Sequence, residues 1–158
     1  GYWSRGLGDV YKRQTGSCQC GNIELEFDNK KVISAHHCYC KDCQRSTGTG
    51  KATILYIPKK HFSSNTELKY YESIGSQGMH IQRGFCENCG SGILSFAKEF
   101  PRLLFVKAGI LNDSSWIKIE SNYFIDSASE WSKPDLSIKS FKGNPNFMSN
   151  IKAILKSL

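Results

Sequence analysis

The sequence has no long hydrophobic run, because its longest uninterrupted apolar stretches, such as residues 103–106, contain only four residues. A helix that crosses a membrane needs about 20 mostly apolar residues, so we expect no membrane-spanning segment and no membrane partner. The 158 residues also contain no internal repeat and no low-complexity linker. This length fits one domain that can bury its own core. The absences together indicate a single globular domain.

Residues 1–14 have no starting Met, no periodic pattern and no apolar segment of the kind found in secretory signals. The stretch from Ser4 to Gln14 resembles translated sequencing-adapter sequence. We therefore expect residues 1–14 to be a non-native extension, with a disordered native extension as the alternative. We assign residues 15–143 to one domain and residues 144–158 to a C-terminal helical tail.

Most of the domain has the pattern of short strands. Residues 22–28 alternate apolar Ile23, Leu25 and Phe27 with polar residues, which is the period of a half-buried strand. Turn residues separate the segments, and only residues 150–158 have a clear helical period. The sequence therefore predicts a mainly β protein, a small antiparallel sheet fold with a short C-terminal helix. The predicted strands are residues 22–28, 52–58, 68–72, 79–85, 92–96, 103–111 and 116–124.

The formal net charge of +7 raises the question of a nucleic-acid partner. Binding nucleic acid requires a concentrated basic patch that also carries exposed aromatic residues. The basic residues here occur singly or in pairs, and the pairs Lys30–Lys31 and Lys59–Lys60 are the densest. This distribution disfavours a nucleic-acid partner.

The seven cysteines carry the strongest signal, since each lies within three positions of another. A secreted disulfide framework would favour an even number and a targeting signal, whereas thiolate ligation of a metal needs sulfurs on tight turns. We therefore expect bound zinc in a cytoplasmic protein, with disulfides and incidental cysteines as the weaker alternatives. The cysteines fall into three clusters: Cys18 with Cys20; Cys38, Cys40 and Cys43; and Cys86 with Cys89.

The clusters divide into a site of four sulfurs and a site of three. The outer pairs each precede a glycine, which permits the tight turn of a zinc knuckle, and together they could form a closed, structural tetrahedral site. The central three would leave a fourth position open, as in catalytic zinc sites. Two alternatives remain at this point: His36 or His37 could close the second site, or the three cysteines could form a redox or regulatory triad.

Three blocks of the sequence resemble the glutathione-dependent formaldehyde-activating enzyme family, which also includes centromere protein V. The blocks are Gly-Ser-Cys-Gln-Cys-Gly at 16–21, His-Cys-Tyr-Cys-Lys-Asp-Cys-Gln-Arg at 37–45 with Gly48, and Phe-Cys-Glu-Asn-Cys-Gly-Ser at 85–91. The resemblance extends from Thr15 to Trp131 and includes the Ala-Gly-x-Leu segment at 108–111. The sequence differs from the family pattern at Tyr39, where many members have His.

The resemblance implies a small zinc-stabilised β fold with two zinc ions per chain. It implies that Cys18, Cys20, Cys86 and Cys89 hold a structural zinc, and that Cys38, Cys40 and Cys43 hold a catalytic zinc. It further implies a carbon–sulfur lyase type of enzyme, with glutathione or another small thiol and an aldehyde as its partners. The reaction would condense glutathione with formaldehyde to S-hydroxymethylglutathione.

Further side chains could support this chemistry. His36, His37 and His80 are candidates for proton transfer, and Arg45, Lys51 and Arg83 are candidates for binding the carboxylates of glutathione. The alternative function is a non-catalytic, zinc-stabilised module that binds a protein or nucleic acid. The scattered basic residues favour the enzyme.

Overall fold

The computed structural model describes residues 13–144, 154–155 and 158. Within these residues the chain forms eleven strands and one α-helix that is described over its whole length, together with four short 3₁₀ turns. The strands are β1 (Arg13–Ser17), β2 (Glu24–Asp28), β3 (Ser34–Cys38), β4 (Ala52–Pro58), β5 (Phe62–Ser64), β6 (Lys69–Ile74), β7 (His80–Phe85), β8 (Gly92–Ala97), β9 (Phe100–Lys107), β10 (Ser121–Tyr123) and β11 (Lys139–Ser140). Helix α1 is Lys41–Thr47, and the 3₁₀ turns are Asn29–Lys31, Lys59–His61, Ala108–Ile110 and Ile125–Ser127.

The strands form two sheets. A three-stranded antiparallel sheet has the order β1-β2-β5, and an eight-stranded sheet has the order β11-β10-β3-β4-β9-β8-β7-β6. The large sheet is antiparallel from β3 to β6. Strand β10 runs parallel to both β3 and β11. The mainly β prediction is confirmed, and the antiparallel pattern changes to parallel at one edge.

Both faces of β4 are buried, and they pack into different clusters. Leu55 and Ile57, each 0% exposed, belong to the main core between the two sheets, where they meet residues such as Leu25 of β2. Each such buried aliphatic side chain stabilises the fold by about 1.5–3 kcal/mol. The alternate residues Ala52 and Ile54 face a second cluster on the other side of the large sheet. That cluster contains two of the central cysteines.

Several boundaries differ from the predicted ones. Arg13 and Gln14, which we assigned to the extension, pair with β2 in strand β1, and Gln14 is buried. The predicted strand at 116–124 is reduced to Ser121–Tyr123, and the strand at 103–111 ends at Lys107, where a 3₁₀ turn begins. The alternation of apolar residues did not predict the additional strands β1, β3, β5 and β11 or helix α1.

Little of the C-terminal tail can be compared with its prediction. Ile154 and Leu155 are helical, and the Leu158 N–H donates to the Ile154 carbonyl at 3.1 Å. Lys60 Nζ donates to the Leu158 carbonyl at 2.9 Å, and Ile154 is 4% exposed. The remainder of the predicted helix at 150–158 lies outside the described residues, as do residues 1–12 of the predicted extension. No helix among the described residues is long and apolar enough to cross a membrane.

Candidate functional site

The seven cysteines lie in two groups, and none of them forms a disulfide. Within each group the sulfur atoms lie within 4.8 Å of one another. One group is Cys18, Cys20, Cys86 and Cys89, and the other is Cys38, Cys40 and Cys43. Among the described residues, no histidine or carboxylate completes the group of three. Either group could therefore hold a metal ion, and the groups have four and three protein ligands.

The group of four is built by two hairpin turns from different sheets. Cys18 and Cys20 lie in the turn between β1 and β2, and Cys86 and Cys89 lie in the turn between β7 and β8. Both turns depend on a glycine in the left-handed region, Gly21 at φ 81° and Gly90 at φ 76°. Only glycine adopts this conformation without steric cost. Each cysteine–glycine sequence thus turns its sulfur pair toward the other.

Hydrogen bonds support these sulfurs. The Ile23 N–H donates to Cys18 Sγ at 3.2 Å, and the Ser91 hydroxyl lies 3.2 Å from Cys89 Sγ. Hydrogen bonds from Ser91 lower the pKa of Cys89 to about 5, which favours the thiolate that binds metals. Cys18 and Cys20 have their sulfurs 3.5 Å apart, and the Cys20 and Cys86 sulfurs are 3.7 Å apart. A tetrahedral zinc with Zn–S bonds of about 2.3 Å would separate its sulfurs by about 3.8 Å, so this group fits zinc.

The group of three forms where β3 meets α1. Cys38 ends β3, Cys40 is the N-cap of α1, and Cys43 lies in its first turn. The Cys43 N–H donates to Cys40 Sγ at 3.3 Å, which satisfies one of the free N–H groups at the start of the helix. Gly48, at φ 69°, ends the helix. The cap therefore starts the helix and also brings two sulfurs together.

The three central thiols shift one another's pKa values in opposite directions. Hydrogen bonds from the Cys38 and Cys43 thiols lower the pKa of Cys40 to about 2, and the positive charge of Arg83 acts in the same direction. The pKa of Cys38 is raised, because its thiol is hydrogen-bonded to the other two sulfurs. These opposite shifts show that three thiolates so close together are unfavourable without a compensating cation. A divalent metal would stabilise all three as thiolates, and this donor set fits zinc with one position left for another ligand.

A cavity of about 420 Å³ lies beside the group of three. Its walls are mainly aromatic and aliphatic, and they include Tyr56, Phe105 and residues of the β6–β7 hairpin. The polar part consists of Lys41, Asp42 and Arg83 with several hydroxyl and amide groups. The three central cysteines line this cavity and the other four do not. Only the group of three is therefore placed to meet a small molecule in it.

The family of the chain follows from comparison with known sequences. The sequence model described as glutathione-dependent formaldehyde-activating enzyme matches residues 13–127, which includes both cysteine groups and most of the domain. The chain belongs to this family. No curated protein sequence matches the chain significantly. A crystal structure of a Rhodobacter sphaeroides protein is similar in fold, with a TM-score of 0.50 and 21% identity over 65% of this chain and 91% of that chain.

In this member of the formaldehyde-activating family, the three candidate histidines have different surroundings. His36 lines the cavity and is stacked on Tyr123 with ring centres 4.0 Å apart, and burial lowers its pKa to about 3. His37, on the opposite face of β3, has Nδ1 3.0 Å from Thr53 Oγ1. His80 lies outside the cavity lining and is hydrogen-bonded to Glu99. Only His36 faces the group of three, as a neutral ring.

Of the three basic residues predicted to bind a carboxylate, only Arg83 lines the cavity. Lys51 Nζ lies 5.8 Å from the centre of the Tyr39 ring, and neither Lys51 nor Arg45 is part of the lining. Tyr39 is fully buried, and its hydroxyl oxygen has no hydrogen-bond partner among the described residues. This position in the central cysteine block is thus filled by an internal aromatic side chain.

Two further residues of this region were not predicted from the sequence. Tyr56 lies on the cavity wall, and its ring contacts His36 with centres 4.6 Å apart. Lys107 donates to the Ser46 carbonyl at 3.4 Å, and burial lowers its pKa. The alternation along β4 places Ile54 and Tyr56 on one face, and this signal identifies them once the pairing of β3 with β4 is known.

Proposed function

We propose that this chain is an enzyme that adds a small thiol to an aldehyde, with a glutathione-like thiol and formaldehyde as its substrates. The observation that carries the proposal is the cavity at the three-cysteine group, combined with a four-cysteine group outside that cavity. One group would then stabilise the fold while the other takes part in the reaction. Membership of the family supports the same assignment.

The proposed reaction forms one bond between the thiol sulfur and the aldehyde carbon. The carbonyl double bond becomes a single bond, and the proton lost by the thiol is replaced by one on the oxygen, so that RSH and CH₂O give RSCH₂OH. Read in reverse, this is a carbon–sulfur lyase reaction. A zinc ion held by Cys38, Cys40 and Cys43 would lower the pKa of a thiol at its fourth position.

The side chains around the cavity would orient the reactants and supply a proton. Burial raises the pKa of Tyr56, which keeps its hydroxyl protonated at neutral pH and able to donate to the developing alkoxide. The aromatic wall of Tyr56, Phe105 and Tyr123 would exclude water from the reacting atoms. Confinement of the two reactants in a cavity of about 420 Å³ would itself accelerate the addition.

The test is the rate of S-hydroxymethylglutathione formation, measured by exchange NMR with glutathione and formaldehyde at equilibrium. We expect the zinc-loaded protein to increase the exchange rate over the uncatalysed reaction, and Cys40→Ser to abolish the increase. A zinc-loaded protein that leaves the exchange rate unchanged would contradict the enzymatic proposal and favour the non-catalytic binding module.

The seven unbridged cysteines further support a cytoplasmic location as part of the proposal.

A further inference from the structure

Arg83 is held at the boundary between the cavity and the central cysteines. Strand β7 pairs it with Tyr71 of β6 on one side and with Ser95 of β8 on the other. Ile81, two residues earlier and on the same face of the strand, also lines the cavity. The Arg83 side chain is only 18% exposed. The sheet therefore fixes a largely buried cation at the cavity wall.

The protein groups around Arg83 leave most of its donors available. Its Nε donates to Ser73 Oγ at 3.3 Å, and its Nη2 lies 4.0 Å from Asp42 Oδ2. These are its polar partners among the described residues, and both contacts are long. A guanidinium has five N–H donors in a planar fork that matches a carboxylate. Burial of a cation is unfavourable unless its charge is compensated at good geometry, and the distant Asp42 provides little compensation.

The central cysteines provide only part of the missing compensation. Three thiolates and a divalent cation would carry only one net negative charge, and Lys107, a half-buried cation, also interacts electrostatically with Cys43. Since Lys107 is anchored to the Ser46 carbonyl outside the cavity lining, it could compensate that charge without Arg83. Arg83 is then left to face the cavity.

We propose that Arg83 is a specificity-determining residue that binds a carboxylate of the thiol substrate, so that the site selects anionic thiols over neutral ones. The inference rests on the proposed function, because it concerns the thiol in that reaction. Bidentate Arg–carboxylate pairs are short, strong and directional. Such a pair would hold the thiol by its acid group and direct its sulfur toward the three cysteines.

The kinetic test compares Arg83→Gln and Arg83→Lys with the zinc-loaded parent protein, using three thiols with formaldehyde. Two of the thiols, glutathione and 3-mercaptopropionate, carry a carboxylate, and the third, mercaptoethanol, is neutral. We expect Arg83→Gln to raise KM about 10- to 100-fold for the two carboxylates and to leave KM unchanged for mercaptoethanol. For these two thiols, the KM of Arg83→Lys should lie between those of the parent and Arg83→Gln, because lysine keeps the charge but lacks the planar guanidinium. Arg102→Gln, which removes the same charge from an exposed position on β9, serves as the matched control.

Binding and metal content separate this proposal from its alternatives. S-methylglutathione keeps both carboxylates but has no free thiol, and calorimetry should show weaker binding to Arg83→Gln than to the parent and to Arg102→Gln. This difference would support the carboxylate contact even if the parent failed to catalyse the addition. An equal loss of kcat for all three thiols together with lost zinc would overturn the proposal, since Arg83 would then act on the cysteines. Unchanged KM values and unchanged S-methylglutathione binding would overturn it too.

Discussion

Replacing one cysteine in each group by serine should affect different properties. In the group of four the change should lower stability, and in the group of three it should abolish activity. Cys89→Ser removes a sulfur from the group of four, and Cys40→Ser removes one from the group of three. Both changes are the same in chemistry and size. In each case the new hydroxyl can keep the local hydrogen bond, with Ser91 at position 89 and with the Cys43 N–H at position 40. Differences between the variants therefore report on the metal sites.

The expected loss of stability in each variant depends on how much of the fold its metal site would hold together. A structural zinc contributes apparent binding free energies of about 10–16 kcal/mol, comparable with the whole stability of about 5–15 kcal/mol of a typical domain. Loss of a third of the zinc contribution in Cys89→Ser, about 4 kcal/mol, would lower Tm by about 8–16 °C for a domain of this size. We expect partial or complete unfolding at 37 °C.

Cys40→Ser should affect stability much less. Serine is among the favoured N-cap residues, so α1 keeps its start. The helix is also held independently of metal, because Gln44 Nε2 donates to the Tyr39 carbonyl at 2.7 Å and to the Ser127 carbonyl at 2.9 Å. We expect a loss of about 1 kcal/mol or less, which corresponds to about 2–4 °C in Tm. Activity should nevertheless be abolished, since the site would lose a metal ligand.

The assay combines zinc content per chain, thermal unfolding followed by circular dichroism, and exchange NMR of the thiol addition. The expected pattern is a folded, inactive Cys40→Ser protein with reduced zinc, beside a Cys89→Ser protein whose unfolding begins many degrees lower. The reasoning is refuted if both variants lose the same stability, because the division into a structural and a reactive group would then be wrong. An active Cys40→Ser protein would refute it independently.

Three further substitutions test the packing and the proposed chemistry. Gly16→Ala would place a Cβ 2.5 Å from the Ile110 carbonyl oxygen, so we expect a loss of about 1–3 kcal/mol in urea unfolding; an unchanged midpoint would contradict this. Tyr56→Phe keeps the ring contact with His36 but removes the hydroxyl, and kcat should fall about 100-fold with KM unchanged; an unaltered kcat would exclude Tyr56 as the donor. Leu55→Ala, in the main core, should cost about 2–5 kcal/mol, and a loss below about 1 kcal/mol would show that this core can collapse around the gap.

The sequence predicted those strands whose own residues have a strong preference for β structure or a clear end. Strand β4 has the predicted bounds because its β-branched and aromatic residues are followed directly by Pro58, which ends the run. Strand β3 has the sequence Ser-Ala-His-His-Cys and little intrinsic preference for a strand. It forms because β4 and β10 pair with it on either side. This pairing is a tertiary effect that one segment alone does not reveal.

Helix α1 shows a different limit. It has seven residues, and its N-cap is Cys40, which is outside the usual set of serine, threonine, aspartate and asparagine. The spacing of the cysteines was visible in the sequence, and the structure places the same residues in the same two groups. The cavity was not predictable, because its walls combine the β6–β7 hairpin with Tyr123–Ser127, and both segments are distant in sequence from Cys38, Cys40 and Cys43. Arg83 could be named a candidate but not distinguished from Arg45.

The two turns that hold the group of four belong to different sheets, and this has a consequence for the unfolded chain. Cys20 and Cys86 are 66 positions apart, and a bound ion would close that loop as a covalent cross-link does. By chain-entropy arithmetic, closing a loop of this length removes about 4 kcal/mol of conformational freedom from the unfolded state. The metal would thus have the role that a disulfide has in secreted domains, but as a bond that chelation reverses.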